Sequence, residues 1–157
     1  MTLDTYHMLI YIGADHRGFN LKESLKIFLK NQGYEVVDVG NIHYDDKDDY
    51  VDFAVAVAKK VSLDSEASRG ILICGSGAGV DIAANKFRNV RSVLAISPDQ
   101  VYEARHDDDV NVLSLAADFT SETDAQKITE TFLETPFGKE ERHQRRIDKI
   151  SRIENQG

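Results

Sequence analysis

The sequence predicts an α/β fold in which a five-stranded parallel sheet is covered by helices on both faces. Three observations carry this. Short β-branched, apolar runs alternate with stretches of helical periodicity along the whole chain. Each change from one to the other falls at Gly, Pro, Ser or a charged loop. Strands joined through helices have to run parallel, and a parallel sheet is stable only when both faces are covered.

The elements follow in order. "MLIYIGA" (8–14) reads as a buried strand closing near Gly13, and Leu21, Leu25, Phe28 and Leu29 then recur at helical spacing up to the stop at Gly33. "YEVVDVG" (34–40) is a second strand, "DDKDDYVD" a charged loop, and Val51, Ala54, Ala58 and Val61 mark a helix from about Asp52. "GILICG" (70–75) is the third strand, with "VDIAANK" opening the next helix. "VRSVLAI" (90–96) is the fourth, after which Pro98 and Asp99 open a helix running to about Arg105. "VNVLSLA" (110–116) is the fifth. Ala125, Ile128 and Phe132 face one side of a helix that follows Ser121 and ends at "TPF", and a strongly charged helix runs from about Glu140. With no repeat or linker, the 157 residues are expected to form one domain, residues 1–7 a tail and residues 140–155 a basic terminal helix.

Bulk composition narrows the function. A net charge of −8 argues against general nucleic-acid or membrane-surface binding, since both partners are anionic. The longest apolar run is too short for a bilayer span, and "MTLDTYHM" lacks the pattern of a signal peptide. A single cysteine allows no internal disulfide and fits a reducing cytoplasm. The local exception to the acidic balance is "RHQRRIDKISR", with Arg142, His143, Arg145, Arg146, Lys149 and Arg152. Two readings of it stay open: a grip on a small anion such as phosphate, or a solvated face paired with Glu140, Glu141 and Asp148.

Right-handed crossovers place every loop that follows a strand on one sheet edge, where ligands of such sheets bind. The loops after strands one, three and four are "GADHRG", "CGSGAG" and "SPDQ", and the first two carry unusual chemistry. In "CGSGAGV", Gly75, Gly77 and Gly79 let backbone amides converge, and Ser76 adds a hydroxyl, so the loop suits an anion or a developing oxyanion. It is neither a P-loop nor a dinucleotide fingerprint, and a plain tight turn explains it equally well. Cys74, at the lip of that loop, is placed to be a nucleophile or general base; a small buried hydrophobe is the bland alternative. Asp15 and His16 leave strand one pointing to different sides and so have separate jobs. "ARHDDDVNVL" reads as a charged loop into strand five; Mg²⁺ on its carboxylates is a lesser possibility, and no His/Cys spacing suits zinc.

Taken together, "GADHRGFNLKESL", "DDYVDFA", "GILICGSGAGVDIAANK", "NVLSLAADF" and "TPFGKEERHQRRIDKI" resemble the sugar-phosphate isomerases of the ribose-5-phosphate isomerase B group, which also holds allose- and galactose-6-phosphate isomerases. The resemblance runs in order from about residue 9 to 150. It implies a Rossmann-like five-stranded domain forming a homodimer with active sites between subunits; pairing of dimers into tetramers stays open, and the expected location is cytoplasmic. It also implies aldose–ketose isomerisation of a sugar phosphate without metal or organic cofactor. By the same resemblance Cys74 is the base. The amides of Gly75, Gly77, Ala78 and Gly79, with the Ser76 hydroxyl, stabilise an enediolate. Asp15 and His16 contact substrate, and Arg142 and Arg146 hold its phosphate.

The sequence departs from the family pattern at three places. Asp107 stands where the family has its ring-opening histidine, with His106 one residue early, and Asp108 stands at an asparagine position. Either His106, through a shifted loop, or Asp107, if a dry pocket raises its pKa, is expected to supply the missing acid. Asp118 stands at a phosphate-binding arginine, which weakens that grip unless Lys47 or another cation compensates. The expected substrate pair is ribose 5-phosphate and ribulose 5-phosphate. A hexose or modified sugar phosphate, or a phosphosugar-binding module without activity, are the alternatives.

Overall fold

A computed structural model describes residues 8–156; the tail expected over residues 1–7 lies outside the described residues. The strands are β1 (Leu9–Ala14), β2 (Glu35–Asp38), β3 (Ser68–Cys74), β4 (Ser92–Leu94) and β5 (Val112–Ala116). The helices are α1 (Phe19–Asn31), α2 (Tyr50–Leu63), α3 (Ala78–Ala84), α4 (Pro98–Asp108), α5 (Glu122–Glu134) and α6 (Glu141–Glu154). All four strand pairings are parallel, and the sheet order is β2-β1-β3-β5-β4.

Alternation along the central strands loads both faces of the sheet. Ile71 and Ile73 join Leu25, Leu29, Leu113, Leu115, Ile128 and Phe132 in the core shared with α1, α4 and α5. Leu72 and Cys74 face the other way, among Ala54, Val57, Ala58, Val61, Val80 and Ala84 of α2 and α3. Each fully buried aliphatic side chain here is worth roughly 1.5–3 kcal/mol.

Most predicted boundaries shift by a residue or two, and two of the changes matter for the site. The fourth strand shrinks to Ser92–Leu94 at the sheet edge, where the Asn85 side chain takes over both backbone groups of Ser92 (Nδ2 to O 3.0 Å, N to Oδ1 2.8 Å). The fourth helix does not stop near Arg105 but continues through Asp108, so the expected "RHDDD" loop is a helical turn. Nothing in that stretch breaks a helix before Asp109, whose left-handed φ of 49° and N–H to the Arg105 carbonyl (3.2 Å) close it. The buried Arg105 guanidinium locks the turn to Thr135 O (3.0 Å), Val110 O (2.6 Å) and Asp109 Oδ1 (2.8 Å).

Among the described residues, no helix is long and apolar enough to cross a membrane.

Candidate active site

Strand order changes direction between β1 and β3, the position where a parallel sheet opens a crevice beyond its carboxyl ends. The loop after β1 lies against the end of β3 there, tied by the Asp15 N–H to the Ile73 carbonyl (3.3 Å). Gly18 packs so closely on Ile73 that a Cβ would stand 2.7 Å from its carbonyl oxygen. The loop after β5 joins as well, through Ala117 N to Cys74 O (2.9 Å) and Asp118 N to Gly75 O (3.0 Å). Three loops therefore converge on Cys74 and Gly75.

Cys74 is the last residue of β3. Its side chain packs on the α2–α3 side and keeps 5% of its surface exposed. The chain then bends through Gly77 at φ +74°, with Leu94 Cδ1 where a side chain would start (2.5 Å), so only glycine fits without strain. Ser76 is exposed, and its Oγ accepts from the Ala78 amide at 3.3 Å, so the hydroxyl and that amide already share a bond. The Tyr50 ring stands over Gly79 and the Arg17 guanidinium over Gly75, each filling the space of the missing side chain.

Asp15 and His16 do take separate parts. The buried Asp15 carboxylate accepts from the amides of Arg17 (3.0 Å) and Gly18 (3.1 Å) and so shapes the loop. His16 is gripped by Asp48 twice, at its backbone N–H (3.0 Å) and at ring Nδ1 (2.7 Å), leaving Nε2 for a ligand. That hydrogen bond raises the His16 pKa above 6.5 against a smaller opposing effect of burial, and the Asp15 charge adds to it. Burial pushes Asp48 upward, but the bonds from His16 and Asn41 outweigh it and hold the carboxyl below its usual range.

Asp48, Tyr50 and Arg17 lie within the motifs that carry the resemblance, but the sequence assigns them no role; Asp48 sits in a run of near-identical acids, and its contact 32 residues away distinguishes it. Asp48→Asn is expected to lower the His16 pKa toward 6.5 in an NMR titration. A group raised on folding stabilises fully below its unfolded pKa, and that stability is lost as pH rises through the folded value. Wild type should therefore lose a small increment across that window, and Asp48→Asn should not; matching titrations in the two proteins would discard the pair.

The remaining predicted residues lie elsewhere. His106, Asp107 and Asp108 form the last turn of α4, just before β5, and so sit at the amino ends of the strands. The length of β5 alone, at about 3.3 Å per residue, puts about 13 Å between them and Cys74. The start of α6 is at that same end, because His143 Nε2 is 3.6 Å from Asp107 Oδ1. His143 and Ile147 are the buried face of α6, and Arg142 and Arg146 are exposed beside them.

At this second cluster His106 Nδ1 bonds Asp107 Oδ1 at 2.8 Å, and the imidazole stacks on Tyr102. The bond raises the His106 pKa despite partial burial, with the Asp107 charge assisting. The same bond, opposed by partial burial and helped by the charge of His143, holds Asp107 below its usual range. This corrects the expectation of a raised Asp107: the shift runs opposite to what a proton donor needs. Asp108 lines a cleft of about 380 Å³ with Arg91, Ile150 and Ile153 instead of facing the histidines. Ligand atoms of Asp15, His16 and Asp48, and of His106, Asp107 and His143, lie within 4.8 Å of one another in each group, close enough to hold a cation. In both groups an imidazole nitrogen bonds a carboxylate, which is also the arrangement of a proton-transfer pair.

The sequence model of the family described as ribose/galactose isomerase matches residues 10–150. A probable ribose-5-phosphate isomerase B of Mycoplasma genitalium is 44% identical over 147 residues, covering 94% of this chain and 96% of that one. The ribose-5-phosphate isomerase B of Mycobacterium tuberculosis is 38% identical over 147 residues, covering 94% of this chain and 90% of that one. The crystal structure of the Mycoplasma genitalium ribose-5-phosphate isomerase B with bound ribulose 5-phosphate superposes with a TM-score of 0.92 at 44% identity, covering 96% of this chain and all of that one.

Proposed function

The chain belongs to the ribose/galactose isomerase family, and from that premise we propose that it interconverts ribose 5-phosphate and ribulose 5-phosphate through an enediolate. The observation that carries this is the convergence of three loops on Cys74 and the glycine turn at the sheet's switch point.

Once the sugar ring is open, Cys74 takes the proton from C2 and returns it to C1, while the proton on O2 passes to O1. Negative charge builds on the enediolate oxygens between these steps. The backbone of Gly75, Gly77, Ala78 and Gly79 and the Ser76 hydroxyl receive it, the Ser76–Ala78 bond opening to do so. Donors already placed where charge develops are worth several kcal/mol in such steps. His16, held by Asp48, offers Nε2 to a substrate oxygen, and Asp15 keeps the loop in shape.

His106 is the ring-opening acid in this reading, and Asp107 orients it. A protonated imidazole bonded to a carboxylate that stays ionised suits a donor working near neutral pH. Arg142 and Arg146, one turn apart on an exposed helix face, hold the phosphate.

Cys74 and these last groups occupy opposite edges of one sheet, so a single copy cannot close the site. The reading therefore requires a homodimer in which the α4–α6 end of each copy meets the glycine edge of the other, giving two shared sites; pairing of dimers into tetramers is left open. A small-molecule substrate, no nucleic acid and a cytoplasmic location complete the proposal.

Mixing tests it directly. Purified wild type is expected to turn over ribose 5-phosphate, and Cys74→Ala and Arg142→Ala/Arg146→Ala to be nearly inactive alone. Co-refolded in equal amounts, the two variants should regain about a quarter of wild-type activity, since about half the dimers then hold one intact shared site. No turnover by wild type would end the isomerase reading, and no recovery on mixing would end the shared site.

A further inference from the structure

Arg17 and Asp118, which both border Gly75, form an ion pair between residues 101 apart in the chain, and the proposed reaction gives neither side chain a task. The pair crosses over Gly75: Arg17 comes from the loop after β1, Asp118 from the loop after β5, and the guanidinium lies where a Gly75 side chain would be. Its surroundings are built. Arg17 is fixed by its amide on Asp15 Oδ1 (3.0 Å), and Asp118 by its amide on the Gly75 carbonyl (3.0 Å). Yet the Arg17 side chain remains 54% exposed and that of Asp118 39%.

We propose that Arg17 is a substrate-binding residue that grips the phosphate of the sugar at the mouth of the glycine loop, with Asp118 as the resident counter-ion that orients it. The inference rests on the isomerase reading for the identity of the anion, but its physical basis is separate. A guanidinium has five donors in a planar fork, and one carboxylate leaves the other edge free for a second anion. An ion pair this exposed adds little stability, so sharing Arg17 with a ligand costs little. A phosphate forms charge-assisted, bidentate bonds to such a fork, roughly twice as strong as neutral ones. Asp118 serves two ends: it keeps the long side chain across the loop, and it limits how tightly product is held by repelling the phosphate.

Binding of ribose 5-phosphate and of inorganic phosphate, measured by calorimetry in a Cys74→Ala background that stops turnover, tests this. Arg17→Ala should weaken both ligands by about 10- to 100-fold, the loss expected for a charged hydrogen-bonding group, and Arg17→Lys by less. Asp118→Asn should bind both as tightly as the parent or up to about fivefold tighter, since it removes repulsion and keeps a hydrogen-bond partner. The proposal is overturned if Arg17→Ala shifts binding less than about twofold, if phosphate is unaffected while the sugar phosphate is weakened, or if Asp118→Asn loses as much as Arg17→Ala, the mark of a purely structural pair. Because the readout is binding, it holds even if wild type proves to isomerise some other sugar phosphate or none.

Discussion

Cys74→Ala will lower kcat for ribose 5-phosphate by about 10²–10⁴-fold, the range supplied by a positioned base, and leave KM within about threefold. The split between the two constants is what gives the experiment its force. In the proposed site arginines hold the phosphate and His16 meets a substrate oxygen, and neither contact depends on the sulfur. Cys74 lies among Ala54, Ala58 and Val80 with 5% exposure, so alanine fits the space and costs little stability. Cys74→Ser tests the chemistry at nearly constant volume, and it too should be severely slowed. Steady-state kinetics with proton exchange from solvent into C1 provide the check. Activity within about threefold of wild type in Cys74→Ala would remove the sulfur from the mechanism.

The second large effect is on stability. Lys22 is fully buried, yet its ammonium bonds Asp38 Oδ2 at 2.6 Å and the Asn41 carbonyl, and packs 5.1 Å from the Phe19 ring centre. Asp38 also accepts from Lys26 (2.8 Å) and from the Gly40 amide (2.9 Å). Burial pushes the Asp38 carboxyl up, but Lys22, Lys26 and Gly40 together outweigh it and hold the pKa below 3.8.

Removing one partner of a buried pair strands the other, at a cost of about 3–5 kcal/mol. Asp38→Ala should lose about that much in urea unfolding, a large part of the total for a chain of this size. Lys22→Met should lose less, about 2–3 kcal/mol, because Lys26 still faces Asp38. The paired replacement Lys22→Met/Asp38→Leu should recover much of the loss, as swaps of whole buried pairs do. Since the folded pKa of Asp38 is lowered, its contribution is present above the unfolded value and lost as pH falls through the folded one. The Asp38 variants should therefore lose stability less steeply than wild type on acidification. Equal unfolding midpoints for wild type and Lys22→Met would reject the role of the pair.

Lys22 also reaches the site. It holds the Asn41 carbonyl, Asn41 Nδ2 donates to Asp48 Oδ2 (3.1 Å), and Asp48 holds His16. A lysine legible in the sequence only as a polar helix residue thus braces the loop after β1 from inside the core.

Local pattern was enough for much of this protein. The alternation of strands and helices, the helix after Ser121 with its Oγ on Asp124 N (3.1 Å), and the glycine turn after Cys74 each depend on neighbours a few residues apart. The motif resemblance added the isomerase class in the same way, from runs of adjacent residues. Sheet order, by contrast, decided what no run could show. It inserted β5 between β3 and β4 and brought Asp48 to His16 and Arg17 to Asp118, and the packing of His143 on the His106 turn brought the start of α6 to the edge opposite Cys74. Periodicity records which face of an element is buried. The partner that a charged side chain meets depends on how distant strands are laid side by side, and only the folded sheet holds that information.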